Sequence, residues 1–166
     1  MTLERVPSSL RLMCAPILDG FLPVAKELEV SMKLEVPDDL PLISVDPEKT
    51  ERVLLNLVDN AIKFTPAGGQ VTIQAAEYEG IGSESMVRVE VSDTGPGIPD
   101  EHKERIFDRF AQLDGQQGRR RGTGLGLTFC KLAVEAHGGA IWIEDNPQGG
   151  SIFVFTLPLA AKRPVV

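Results

Sequence analysis

The segment from Asp46 to Phe64 constrains the fold most, because it predicts a long helix with one apolar and one polar face. Asp46 supplies an acidic N-cap, Pro47 is a proline at the first helical position, and Glu48 adds an acid in the first turn. Apolar residues at helical spacing form one face: Val53, Leu54, Leu57, Val58, Ala61 and Ile62. This face is expected to be buried against another layer of structure.

The polar face of the same helix carries Asn56, Asn60 and Lys63, spaced by four and then three residues. Asparagine is unfavourable inside a helix, so folding alone does not explain this stripe. An amide oxygen is a hard, neutral ligand suited to Mg²⁺, and a lysine one turn further on suits phosphate groups. The alternative is an ordinary solvated helix face.

The remaining pattern alternates between helices and strands. Further helices are predicted at Leu10–Leu28, which Pro16 and Pro23 should bend or interrupt, at Asp100–Phe107 and at Leu125–Ala136. Strands are predicted at Ser31–Val36, Pro41–Val45, Val71–Tyr78, Met86–Ser92, Ala140–Glu144 and Ser151–Leu157. Residues 108–122 read as a loop. Together these elements predict a two-layer α/β sandwich, in which about three helices cover one face of a mainly antiparallel sheet.

The composition narrows the function classes. A chain of 166 residues with 42% hydrophobic residues is typical of one soluble globular domain. Its net charge of −7 argues against a general nucleic-acid-binding protein. No apolar run is long enough for a membrane span, and no signal peptide is visible. Cys14 and Cys130 are expected to be small core residues in a reduced compartment, and no Cys/His spacing predicts a zinc site.

Two glycine-containing segments are candidates for ligand binding. Asp93 follows a predicted strand and can accept a hydrogen bond from an exocyclic amine such as that of adenine, while Gly95 and Gly97 allow a flat ligand to approach the backbone. An ordinary Asp/Gly/Pro turn is the alternative. The segment 122–127 (GTGLGL) opens a helix whose free N–H groups can hold an anion. It is neither a Walker loop nor a Rossmann fingerprint, and alone it is a weak signal.

Four segments in order resemble the conserved boxes of sensor histidine kinases. They are NLVDNAIK at 56–63, DTGPGI at 93–98, IFDRF at 106–110 and GTGLGL at 122–127, which correspond to the N box, first glycine box, F box and second glycine box. The chain thus resembles the catalytic ATP-binding domain of these kinases, a Bergerat fold of the GHKL superfamily, over roughly residues 5–158. The resemblance implies a mixed sheet and three main helices.

The resemblance also implies roles for individual residues. Asn60 would coordinate the Mg²⁺ that bridges the phosphates of ATP or ADP, Asn56 and Lys63 would line the phosphate path as the other catalytic residues, and Asp93 would bind the adenine amino group. Further nucleotide contacts are implied for Gly95, Gly97, Ile98, Phe110, Gly122, Thr123, Gly124, Leu125, Gly126 and Thr156. The segment Phe107–Gly122 would form a lid over the nucleotide, anchored by Phe107 and Phe110.

The chain departs from the family in having no evident phosphoacceptor histidine. Its two histidines are His102, expected to be a solvated helix residue, and His137, expected at a helix end. Residues 1–9 therefore read as the remnant of a linker, residues 10–158 as the catalytic domain, and residues 159–166 as a tail. The chain is expected to be a monomeric cytoplasmic domain of a longer kinase, without membrane insertion. It is expected to phosphorylate a histidine on a separate domain, from which a response regulator receives the phosphate.

Other functions on the same fold remain as alternatives. ATP-hydrolysing switches such as gyrase and chaperone relatives carry a glutamate at the position of Asn56, where it acts as a general base. An amide cannot accept that proton, so Asn56 disfavours hydrolysis. A nucleotide-binding module without kinase activity is a second alternative. A serine kinase of the anti-sigma type is a third, although the separate F box favours the histidine kinase branch.

Overall fold

A computed structural model describes residues 1–79, 85–108 and 125–160. It contains three α-helices: α1 (Leu10–Glu27), α2 (Pro47–Phe64) and α3 (Leu125–Ala136). The strands are β1 (Val6–Ser8), β2 (Ser31–Glu35), β3 (Ile43–Val45), β4 (Gln70–Glu79), β5 (Ser85–Asp93), β6 (Ile141–Asp145) and β7 (Ser151–Pro158). Five of these strands form one sheet in the order β2-β4-β5-β7-β6, and β1 pairs with β3.

The predicted two-layer sandwich with a mixed, mainly antiparallel sheet is confirmed. Only the β2–β4 pair of the five-stranded sheet is parallel. Alternate residues of β5, namely Val87, Val89 and Val91, are buried on the side of the helices. All six apolar residues predicted for the inner face of α2 are buried with them. Asp46 is the N-cap of α2, and its carboxylate accepts a hydrogen bond from the Lys49 backbone N–H at 3.1 Å.

Helix α1 runs without interruption through Pro16 and Pro23. Each proline removes one backbone donor, which should leave the carbonyl four residues earlier without its helical partner. The two prolines are two turns apart and both are exposed, so water can solvate the freed carbonyl groups on that side. The opposite side of α1 buries Leu10, Cys14 and Ile17 in the core. Burial also raises the pKa of the Cys14 and Cys130 thiols to about 12, as expected for core cysteines.

Two local predictions differ from the structure. The segment predicted as one short helix forms two separate 3₁₀ turns, Asp100–His102 and Arg105–Phe107. Six consecutive polar residues begin this segment, so it lacks the apolar stripe that would stabilise a regular helix by packing. Strand β1 was not predicted, since three residues that include Pro7 carry no periodic pattern. Residues 80–84, 109–124 and 161–166 lie outside the described residues, and with them most of the segment predicted as a loop at 108–122.

His137 joins the end of α3 to the start of α2. Its ring is only 2% exposed, Nδ1–H donates to the Ala133 carbonyl at 2.7 Å, and Nε2 accepts from the Asp46 backbone N–H at 3.0 Å. The Asp46 carboxylate in turn accepts from the Glu4 backbone N–H at 3.0 Å. The Arg5 guanidinium donates to the Ala136 carbonyl at the end of α3. A neutral His137 thereby holds the two helices together at the end distant from Asn60.

Lowering the pH is expected to destabilise the protein through His137. Burial holds the pKa of this imidazole below its ordinary value of about 6.5. Because the folded-state pKa is depressed, the contribution of the neutral ring to the free energy of unfolding is complete above about pH 6.5 and is lost as the pH falls toward the depressed value. Urea unfolding measured between about pH 5 and 8 checks this expectation.

The matched control is His137→Gln, whose side-chain oxygen can still accept from the Asp46 N–H but does not titrate. The free energy of unfolding of this variant should fall less steeply below about pH 6.5 than that of the wild type. Parallel pH curves for the two proteins would contradict the assignment of this dependence to His137.

Candidate functional site

The polar stripe of α2 faces the beginning of α3. The Asn56 side-chain amide donates to the Gly126 carbonyl at 3.3 Å, and a Cβ on Gly126 would lie 3.6 Å from the Asn56 amide carbon. One turn earlier, the Arg52 guanidinium stacks 4.0 Å from the centre of the Phe129 ring. These contacts hold the polar face of α2 against the first turns of α3.

Asn60 and Lys63 continue the stripe toward the end of α2. Asn60 is half-buried, and its amide has no hydrogen-bond partner among the residues that the structure describes. The Lys63 ammonium lies 3.1 Å from the Asp59 carboxylate one turn earlier. A ligand at this face therefore meets an amide with unused hydrogen-bonding capacity and a cation that already has a neighbouring anion.

Asp93 ends β5 and points to the helix side of the sheet. It is 5% exposed, and its Oδ1 accepts from the backbone N–H groups of Gly95 at 2.9 Å and Ser151 at 3.3 Å. Burial raises the pKa of this carboxyl, while the two hydrogen bonds act in the opposite direction. Oδ2 has no partner among the described residues. It can therefore accept a hydrogen bond from a ligand.

The first glycine box lies against the end of α2, which brings Asp93 and Lys63 to one region. A Cβ on Gly95 would lie 2.7 Å from the Phe64 carbonyl oxygen, so a larger residue cannot fit without moving the backbone. Gly97 has a positive φ of 80° and packs beside Gly150. Ile98 packs against the hydrophobic core as a partly buried residue. The loop therefore depends on its glycines for both conformation and close packing.

The second glycine box is described only from α3 onward. Leu125 opens α3 and Gly126 contacts Asn56, whereas Phe110, Gly122, Thr123 and Gly124 lie outside the described residues. Phe107, predicted to anchor the lid, is buried in an edge-to-face contact with Phe153, with ring centres 6.2 Å apart. The Thr128 hydroxyl also donates to the Phe107 carbonyl at 3.0 Å. The start of the predicted lid is thus fixed to α3 and β7.

Thr156 is not brought to this site. It pairs in register with Arg88, five residues along β7 from Ser151, a separation of about 16 Å in a strand. Its side chain also points to the sheet face opposite Asp93, and its hydroxyl accepts from the Ala140 backbone N–H at 3.0 Å. Thr156 therefore lies too far along β7 to join an adenine network at Asp93, and that prediction is wrong. Ser151 is the β7 residue that lies beside Asp93.

Sequence reasoning also missed Asn146. Its amide donates to the Asp93 backbone carbonyl at 2.8 Å from the turn between β6 and β7. The available signal was the Asn146–Gly150 segment between the last two predicted strands, whose asparagine, proline and glycines are typical of an ordinary turn. The contact depends on the β5–β7 pairing, which sets the β6–β7 turn beside the end of β5.

Two negative findings apply to residues 1–79, 85–108 and 125–160. No group of three or more His, Cys, Asp or Glu side chains in these ranges is arranged to hold a metal ion. In the same ranges, no helix has both the length and the apolar character that a membrane crossing requires.

The sequence is similar to several sensory kinases. It is 39% identical over 159 residues to an adaptive-response sensory kinase SasA from Synechococcus sp. strain JA-3-3Ab, and 40% identical over 150 residues to the one from Rippkaea orientalis. These alignments cover 96% and 90% of this chain. The chain spans 41% and 37% of the lengths of these relatives.

Solved structures show the same fold. Full-length ShkA in complex with AMPPNP superposes with a TM-score of 0.83 at 32% identity, covering 99% of this chain and 33% of ShkA. The catalytic domain of the histidine kinase ThkA superposes with a TM-score of 0.80 at 31% identity, covering 95% of this chain and 97% of that domain. The sequence model of the family of histidine kinase-, DNA gyrase B- and HSP90-like ATPases matches residues 45–161 of this chain. The chain belongs to this family of ATPases, within which its fold is that of histidine kinase catalytic domains.

Proposed function

We propose that this chain binds Mg-ATP and transfers the γ-phosphate to a histidine on a separate phosphoacceptor domain, in two-component signalling. The observation that carries this proposal is the Asn56–Gly126 contact, which sets the polar face of α2 against the start of α3 with an amide where a hydrolytic relative has a carboxylate. The similarity to sensory kinases and to the ThkA catalytic domain supports the same activity.

The contact made by Asn56 argues against hydrolysis in a second way. Its amide N–H is directed at the Gly126 carbonyl oxygen. A glutamate at this position would face that carbonyl with an anionic oxygen instead of a donor, which is unfavourable in a half-buried setting. The local structure thus suits an amide, and an amide cannot take a proton from water.

The adenine end of the nucleotide is proposed to meet Asp93. Its Oδ2 is the acceptor that an exocyclic amine requires, and the adjoining glycines allow the loop to pack closely against the end of α2 and Gly150. Ile98 supplies apolar surface beside them. Gly95, Gly97 and Ile98 are therefore proposed as base contacts, and the unoccupied Oδ2 supports this assignment.

The phosphate end is proposed to meet Asn60, Lys63 and the N-terminus of α3. Mg²⁺ usually takes one or two protein oxygens together with water and substrate phosphates. Asn60 provides such an oxygen, and a bound Mg²⁺ would neutralise phosphate charge. Lys63 would leave Asp59 for the phosphates, and the N–H groups of residues 122–126 would hold them. This transfer relies on positioning and charge neutralisation.

The acceptor histidine is proposed to come from another domain. His137 is buried with both ring nitrogens engaged, so it cannot reach a nucleotide. His102 lies in a 3₁₀ turn with Glu101 at 3.6 Å. The partner would be the helical phosphoacceptor domain of the parent kinase, and a response regulator would receive the phosphate. We place this monomeric catalytic domain in the cytoplasm.

The test is to mix the 166-residue chain with ATP labelled at the γ-phosphate, Mg²⁺ and separately purified phosphoacceptor domains of histidine kinases. Acid-labile label is expected on a phosphoacceptor domain, and its own His→Gln variant should remain unlabelled. The His102→Gln variant of this chain should transfer as well as the wild type. Release of labelled phosphate at a similar rate without any acceptor would instead indicate a hydrolytic switch. Nucleotide binding without either reaction would indicate a binding module.

A further inference from the structure

The turn from Asn146 to Gly150 is attached to Asp93 at three points. Asn146 donates to the Asp93 backbone carbonyl at 2.8 Å, and the Ser151 N–H that follows the turn donates to Asp93 Oδ1 at 3.3 Å. Gly150 packs so closely that a Cβ there would lie 2.1 Å from the Asp93 carbonyl oxygen. Both the backbone and the carboxylate of Asp93 are thus held by a segment more than 50 residues away.

The oxygen and the nitrogen of the Asn146 side-chain amide make different contacts. Its Oδ1 accepts from the Gln148 backbone N–H at 3.1 Å, which stabilises the turn itself. Its Nδ2–H is directed out of the turn to Asp93. The backbone of the turn is closed independently, by Asn146 N–H to the Gly150 carbonyl and Gly149 N–H to the Asn146 carbonyl. The contact with Asp93 can therefore be removed without removing the bonds that form the turn.

A second attachment fixes the same turn to the segment after the first glycine box. The Lys103 ammonium bonds to the Asp145 carboxylate at 2.7 Å and also to the Asp100 carboxylate. Asp145 immediately precedes Asn146, and Asp100 follows the first glycine box. The loop that would border the base is consequently tied to the turn at both of its ends.

We propose that Asn146 is a positioning residue for base selectivity, fixing Asp93 so that its carboxylate accepts from a 6-amino purine and rejects a 6-oxo purine. This inference rests on the proposed function, in which Asp93 reads adenine. Adenine presents an amino donor at the position where guanine presents an oxygen acceptor. A carboxylate repels that oxygen only if it is held in place, because a shifted carboxylate can instead accept from other guanine N–H groups.

The test compares the affinities of the 166-residue chain for ADP and GDP without Mg²⁺, for two Asn146 variants and one control. Asn146→Asp keeps the turn-forming oxygen but replaces the donor to Asp93 with a charged oxygen, whereas Asn146→Ser removes the Nδ2 donor without adding charge. The control is Gln148→Ala, because only the backbone of Gln148 takes part in the turn. Loss of one hydrogen bond should reduce the ADP-to-GDP affinity ratio about five- to tenfold in both variants. The control should keep the wild-type ratio.

The outcomes separate this inference from the function on which it rests. A wild type that does not prefer ADP over GDP overturns the assignment of Asp93, and the inference with it. A selective wild type whose preference is unchanged in both variants overturns the inference alone. Loss of preference in Asn146→Asp only would indicate charge repulsion rather than positioning, and also overturns it. Urea unfolding of each variant establishes that the compared proteins are folded, since a purely structural role would lower stability and leave the ratio unchanged.

Discussion

Replacing Asn60 with alanine is expected to remove the Mg²⁺-dependent part of ATP affinity. Asn60 is half-buried on the polar face of α2, and its amide has no hydrogen-bond partner among the described residues. Its loss therefore leaves no unsatisfied protein group, and the effect should appear in binding rather than in stability. A contact to a charged ligand is worth about 10- to 100-fold in affinity. Calorimetric titration of ATP with and without Mg²⁺ measures this difference.

The matched variant is Asn60→Asp, which retains an oxygen ligand of similar size at the same place. It should keep the stimulation of ATP binding by Mg²⁺ that the alanine variant loses. The alanine substitution should leave ADP affinity measured without Mg²⁺ unchanged, because the adenine contacts lie elsewhere, whereas the added carboxylate of Asn60→Asp should lower it by repelling the phosphates. An alanine variant with the full wild-type stimulation would exclude Asn60 as the metal ligand.

The helix that bears Asn60 was predictable because its information is local. The cap at Asp46, the 3.6-residue repeat of apolar residues and the asparagines on the polar face all lie within one segment. No distant contact is needed to determine which side of α2 is buried. The same holds for α3, whose predicted bounds, Leu125 to Ala136, agree with the structure.

The error at Thr156 shows where such local reasoning fails. In β7, every residue from Phe153 to Leu157 is buried, so the alternation that would identify the two faces is absent. The sheet face on which Thr156 lies and its position along the strand follow only from the pairing of β7 with β5, in which Arg88 lies opposite Thr156. Asn146 was missed for the same reason, since its partner Asp93 is distant in sequence. A single sequence does not contain this register.

Replacing Asp93 with asparagine is expected to weaken ADP binding and to reverse the preference for adenine over guanine. Oδ1 of Asp93 accepts from two backbone N–H groups, those of Gly95 and Ser151. An asparagine must present its oxygen to the same two N–H groups, because its NH₂ group is itself a donor and cannot accept from them. Its NH₂ group then occupies the place of Oδ2, so that an acceptor toward the base becomes a donor.

The NH₂ group then faces the amino group of adenine, which is also a donor, so the two cannot pair. It can instead donate to the oxygen at the same position of guanine. ADP affinity should fall about 10- to 100-fold, as for the loss of a hydrogen bond to a charged group, while GDP affinity should rise. Because the substitution is isosteric, the close contacts of Gly95 and Gly150 with Asp93 persist and the fold should be retained. Titrations of ADP and GDP without Mg²⁺ measure both affinities. Equal weakening of the two nucleotides would mean that Asp93 supports the pocket without reading the base, and an unchanged ADP affinity would place the base elsewhere.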